Sequence, residues 1–240
     1  CKFTTVQDVT FVGFSNYQKI LLDNTFSHAF WLTVAFAFIS SILINVLAFA
    51  IALALTKGFK GTNAFRTVFF MPNLIGGIVL GYIWQTLLNG LLSKWGQPLL
   101  ALSAKNGFIG MLILLCWQQI GYMMIIYIAG LQNVPDDLIE AAEIDGAGPF
   151  KTFLQVIIPV SKPVFATVFI LDYVAYWSDF MWPLLVITDA GKRTVQLGIQ
   201  TFFTEPPVYY GPIMAALTIA SVPMIIMFLF LQKYYVQGIS

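Results

Sequence analysis

The chain has 240 residues, of which 59% are hydrophobic and 10% charged, with a formal net charge of +1 and a mean hydropathy of +0.83. A soluble domain carries roughly 25% charged residues to face water, so this composition calls for lipid as solvent. It excludes a basic field for nucleic acid and a polybasic tail for anionic lipid.

The polar start is read as a chain end left by truncation, with Cys1 a lipidated cysteine only as the lesser alternative; no signal-peptide pattern is present. Cys116 lies inside an apolar run, so a disulfide with Cys1 is not expected. Five stretches then approach the ~20 apolar residues a bilayer core requires. The first runs from about Phe30 to Leu55 and stops at the polar loop beginning with Lys57. The second covers about Thr67 to Leu88 and contains Pro72 and the pair Gly76-Gly77. The third covers about Phe108 to Leu131, the fourth about Val164 to Ile187, and the fifth about Ile213 to Tyr234. An odd number of spans places the two ends on opposite sides. The positive-inside rule does not choose between them. With the start outside, Lys57, Lys60, Arg66, Lys151, Lys162 and Lys233 lie inside, while Lys2, Lys19, Lys94, Lys105, Lys192 and Arg193 lie outside.

The polar stretch from about 135 to 162 is the most informative. Pro135 suits a helix start, and Asp136, Asp137 and Glu140 set negative charge near the positive N-terminal end. Leu138, Ala141, Ala142 and Asp145 recur at helical spacing, and Gly146 is a stop signal. A second short helix is expected over about Phe150 to Ile158, ending at Pro159. The small residues Ala141, Ala142 and Gly146 would admit a close-lying surface. On physical grounds alone, a plain solvated loop stands beside that reading.

Glu140-Ala141-Ala142, three residues, Gly146, nine residues, then Val156-Ile157-Ile158-Pro159 resembles the EAA loop of binding-protein-dependent ABC-importer permeases. Val156 and Ile158 depart mildly from that pattern. The resemblance implies an all-α, polytopic transmembrane helical bundle of the type I importer fold, formed here as one permease domain over 1–240. It implies that Glu140, Ala141, Ala142, Asp145, Gly146 and Pro159 couple the chain to ATPase subunits in the cytoplasm. The chain start is then outside and its end cytoplasmic, in a bacterial or archaeal inner membrane. The implied partners are ATPase subunits, a second permease subunit, identical or different, and an extracytoplasmic solute-binding protein.

Residues 12–90, through Val12-Gly13-Phe14-Ser15-Asn16-Tyr17 and Phe65-Arg66-Thr67 to Pro72, resemble the first-partner, MalF-like type of sugar permease. Gly130-Leu131-Gln132 fits that type too. Trp177-Ser178-Asp179-Phe180-Met181-Trp182-Pro183-Leu184-Leu185, Arg193-Thr194 and Gln232 to Gly238 resemble the second-partner, MalG-like type. The chain is therefore expected to be a mosaic, natural or constructed, with a seam between about 135 and 165. A further helix before its start and a short tail beyond Ser240 are expected in a full protein of six or more spans.

Charged groups at membrane depth are functional candidates. Asp172 and Asp179 lie seven residues apart with Tyr176 between them, and Trp177 and Trp182 are close by. These residues and Asn45 are candidates for a translocation path suited to a sugar, or for structural roles: ties between helices or, for Asp179, a place in a break near Pro183. Gln85, Gln118 and Gln119 are weaker candidates of the same kind. His28 stands alone, no metal-ligand spacing occurs, and no nucleophile–base pair is evident. The stretch Gly146 to Thr152 lacks the spacing and preceding strand of a phosphate loop. No cofactor is expected on this chain, and ATP and Mg belong to the partner ATPases. The resulting expectation is a non-enzymatic carbohydrate-import permease, with polyols or glycerol phosphate esters as secondary substrates. A proton-coupled carrier using Asp172 and Asp179 is the rival. It would require two similar halves with broken helices, and no such repeat is visible. An engineered scaffold without transport activity is the third reading.

Overall fold

The structure is a computed structural model that describes residues 11–56, 60–187, 193–204 and 208–239, with side chains described to Tyr234. Cys1, Lys2, Lys57 and Lys192, which entered the sequence reading, lie outside the described residues, as do the side chains of 235–238. The described residues are overwhelmingly helical and contain no strand.

Helix α1 spans Ser15–Leu22 and α2 spans Asn24–Thr56. Asp23 separates them for a clear reason. Its Oδ1 accepts the backbone N–H groups of Thr25 (2.8 Å) and Phe26 (2.9 Å), capping the start of α2. The 33 residues of α2 extend ~50 Å, more than a hydrocarbon core of ~30 Å needs. Helices α5 (Ala104–Gln132) and α12 (Tyr210–Ile239) are the other long apolar helices. Pro223 lies inside α12.

The second expected span, 67–88, is not one helix. It divides into α3 (Thr62–Phe70), a 3₁₀ turn (Met71–Leu74) and α4 (Gly77–Lys94), broken at Ile75-Gly76. Pro72 supplies no N–H to the preceding turn, and both Ile75 (ψ 130°) and Gly76 (ψ 131°) are extended. The fourth expected span, 164–187, is also divided. Helix α9 (Lys162–Trp177) ends before Ser178-Asp179-Phe180, and α10 (Met181–Val186) follows. Asp179 Oδ1 accepts from the N–H groups of Met181 (3.1 Å) and Trp182 (3.4 Å), so this side chain satisfies the start of α10. Pro183 falls in the first turn of α10, where a missing donor is tolerated. Among the described residues, three helices are long and apolar enough to cross a bilayer, or up to five if each bent pair counts as one span.

Between α5 and α9 lie α6 (Asp136–Ile144), α7 (Pro149–Thr152), a π-helical turn (Phe153–Ile157) and α8 (Ile158–Val160). Helix α11 (Val195–Thr204) precedes α12. The expected stop at Pro159 does not occur, because the backbone stays helical to Val160 and bends by 63° into α9. Proline crowds the carbonyl four residues earlier and cannot donate to it. The preceding turn widens to π geometry, with Ile158 N–H bonded to Phe153 O.

Contacts gather the described residues into two compact units. The first comprises residues 11–38, 76–114 and 174–227. Within it Trp177, wholly buried, donates Nε1–H to Ala220 O (3.0 Å) and packs edge-on against Phe30. Thr33 Oγ1 accepts Val195 N–H (2.8 Å) and donates to Ala29 O (2.8 Å). Gln85 Nε2 donates to Leu185 O (2.7 Å). The second unit comprises 39–75, 115–173 and the end of α12 from 228. There α5 meets Phe69 so closely that a Cβ on Gly121 would overlap the Phe69 carbonyl. Only glycine permits that approach.

Candidate functional site

The loop from Pro135 to Val160 belongs wholly to the second unit. Pro135, with extended backbone (ψ 131°), leads into α6, whose first turn holds Asp136 and Asp137. Acidic groups there complement the positive helix end. No residue of α6 is buried. Its end is a complete Schellman motif, with Gly146 N–H bonded to Glu143 O (3.0 Å) and Ala147 N–H to Ala142 O (2.9 Å). Gly146 holds φ +73°, the left-handed conformation that glycine adopts without cost.

Glu140, Ala141, Asp145, Gly146 and Pro159 are exposed, and Ala142 is half-buried. Two large apolar side chains share this surface: Ile144 is 87% exposed and Phe150 75%. They flank the glycine turn, Ile144 between Glu143 and Asp145 and Phe150 beside Lys151. Sequence reasoning passed over both, although an apolar residue between two acidic ones, Ile144, was an available signal. Beneath the turn, buried Thr152 donates its hydroxyl to Gly148 O (3.3 Å). A cavity of about 860 Å³ opens there, lined in part by Leu53, Ile139, Glu143, Phe150 and Phe153.

The candidate path residues are packed within their own units. In the second, Asp172 is wholly buried and Asn45 nearly so. Asn45 Nδ2 donates to Asp172 Oδ2 (2.9 Å) and to Ser41 O (2.7 Å), while the Tyr127 hydroxyl donates to Asn45 Oδ1. A buried carboxylate is costly without hydrogen bonds, and Asn45 of α2 donates one to it. Tyr127 was missed because nothing in the sequence signals a pairing across 82 residues. In the first unit, Tyr176, Trp177 and Trp182 are buried, and Asp179 serves the start of α10. A Cβ on Gly81 would lie 2.8 Å from the Trp182 ring, so that ring packs directly on the α4 backbone. Among the described residues, no group of three His, Cys, Asp or Glu side chains is placed to hold a metal ion.

This backbone matches that of a bacterial alginate ABC transporter crystallised with an alginate pentasaccharide-bound periplasmic protein, at a TM-score of 0.77 and 18% identity. The match covers 91% of this chain and 81% of that one, so the two share a fold. Residues 44–240 match the family described as the binding-protein-dependent transport system inner membrane component, and the chain belongs to that family. The probable starch degradation products transport system permease protein AmyD of Thermoanaerobacterium thermosulfurigenes is 32% identical over 200 residues, covering 80% of this chain and 68% of the relative. The arabinooligosaccharides transport system permease protein AraP of Bacillus subtilis is 37% identical over 175 residues, covering 68% of this chain. The chain spans 55% of AraP's length.

Proposed function

We propose that this chain is a translocation subunit of an ATP-driven importer, with α6, the Gly146 turn and α7 as the surface that docks on an ATPase subunit. The observation that carries this reading is the exposed pair Ile144 and Phe150 on either side of a rigidly capped turn. Two bare apolar side chains beside charged groups outside the apolar spans fit a partner surface better than a solvated loop. Glu140 to Pro159 supplies the matching spacing. Hydrolysis of ATP, with its Mg, then occurs on the partner. This chain contributes binding and movement rather than covalent chemistry.

The family and the oligosaccharide systems among its relatives support a carbohydrate as cargo, delivered by an extracytoplasmic binding protein. A second permease subunit, identical or different, completes the path. The docking surface faces the cytoplasm of a bacterial or archaeal inner membrane, which sets the start of the chain outside and its end inside. The division into MalF-like and MalG-like halves stays a proposal of the same standing, and aligning each half separately with the two partner types tests it. One type matching both halves best would refute it.

Coexpression with candidate ATPase subunits, followed by affinity capture, tests the docking reading. Wild type retains an ATPase, whereas Glu140→Lys and Phe150→Glu lose it while keeping their thermal stability. Equal retention by all three proteins overturns the assignment.

A further inference from the structure

The docking surface is joined to the membrane helices through one aromatic cluster, in which Phe49 and Tyr127 are buried and Phe153 and Phe165 half-buried. Phe153, in the π-helical turn, stacks on Phe49 of α2 with ring centroids 6.1 Å apart. Phe49 also meets Phe165 of α9 at 4.5 Å and Tyr127 of α5 at 5.2 Å, and Tyr127 meets Phe165 at 5.1 Å. Four rings from the loop and three helices thus converge. Tyr127, with no exposed surface, carries the contact onward. Its hydroxyl donates to Asn45, and Asn45 donates to Asp172 on α9.

Helix α9 is therefore held at Phe165 and again at Asp172, seven residues or roughly 10 Å further along its axis. One attachment would act as a pivot, but two resist both rotation and tilt. A third approach adds to them, since a Cβ on Gly130 of α5 would fall 2.6 Å from Val164. The placement matters because the 63° bend into α9 follows Val160. Flanked by Pro159 and Pro163, that bend is the natural place for a push on α6 to be absorbed. The rings straddle it, Phe153 before and Phe165 after, and both pack on Phe49.

We propose that Tyr127 is a positioning residue that locks the docking loop, the adjoining part of α9 and the packed stretches of α2 and α5 into one lever. Displacement of α6 by an ATPase then moves Asp172 with it. This inference rests on the docking reading above and deepens it. Tyr127 serves both halves of the clamp, its ring in the aromatic cluster and its hydroxyl in the polar one.

The test uses the assembled permease–ATPase complex in a cysteine-free background, with spin labels at Asp137→Cys on α6 and Leu171→Cys on α9. Distances are measured with and without AMP-PNP. In the wild-type background AMP-PNP leaves the distance unchanged, because both labels ride on one body. In Tyr127→Phe, which keeps the ring and loses the hydroxyl, AMP-PNP shifts or splits the distribution while the complex stays folded and retains its ATPase. Asp172→Asn, which keeps an oxygen acceptor for Asn45, behaves as wild type. A nucleotide-dependent distance in the wild-type background, or a Tyr127→Phe complex as rigid as wild type, overturns the lever and leaves the docking reading intact. Failure of the unlabelled wild-type chain to retain an ATPase overturns both.

Discussion

Gly146 offers a substitution whose effect is confined to backbone conformation. It holds φ +73°, and a Cβ added there meets no atom within 4 Å. Valine at this position therefore clashes with nothing across space and is penalised only by its own backbone. The left-handed region costs an L-residue roughly 1–2 kcal/mol, and a β-branched side chain is the least suited to it. Leaving that region instead forfeits the bonds of Gly146 N–H to Glu143 O and Ala147 N–H to Ala142 O, each worth about 1 kcal/mol net. By either route, Gly146→Val loses about 1–2 kcal/mol, a factor of about 5–30 in the ratio of capped to uncapped turn. Asparagine tolerates the left-handed region far better, so Gly146→Asn stays close to wild type. Titration of the detergent-solubilised permease with its ATPase subunit measures the outcome. The apparent Kd rises for valine, by up to about 5–30-fold as the uncapped turn becomes the major form, and little for asparagine. Valine binding as tightly as glycine, or asparagine as weakly as valine, would refute the reasoning from the turn.

Further substitutions probe the packing and the buried carboxylate. Gly121→Ala drives a methyl into the Phe69 carbonyl and destabilises the chain by about 1–3 kcal/mol, seen as a lower Tm in detergent; an unchanged Tm would deny the close approach of α5 to Phe69. Trp177→Phe removes the 3.0 Å bond from Nε1 to Ala220 O and costs about 1 kcal/mol, the usual net worth of one such bond. The same melting measurement reads that loss. Asp172→Asn preserves an acceptor for Asn45, so ATP-driven uptake persists, whereas a carrier that relays protons through Asp172 would be silenced.

The legible parts of the sequence were those in which local chemistry decides the structure. Pro135, the acids of the first turn and Gly146 placed α6 and its end correctly, because each acts within a few residues. Pro72 with Gly76-Gly77 announced a weakness in the second apolar stretch, but composition could not convert it into a break between α3 and α4. The fourth stretch misled for a related reason. Hydropathy runs through Ser178 and Asp179 without falling far; a break at Asp179 near Pro183 was one reading among others, and the capping bonds from Met181 and Trp182 select it. Pro159 was read as a terminator, whereas a widened turn accommodates it. The pairing of Asn45 with Asp172 spans 127 residues, and no periodicity within a single helix encodes such a contact. Asp172 was visible as a charge in need of a partner, and tertiary structure alone names it.

Uptake into proteoliposomes containing this chain, its partner permease and the ATPase subunits, with binding protein and labelled oligosaccharide outside, addresses the transport reading most directly. Accumulation that requires ATP on the docking-loop side, and that disappears in Phe150→Glu without loss of the folded protein, is the predicted result. Accumulation driven by a proton gradient without ATP, or unaffected by Phe150→Glu, would contradict it.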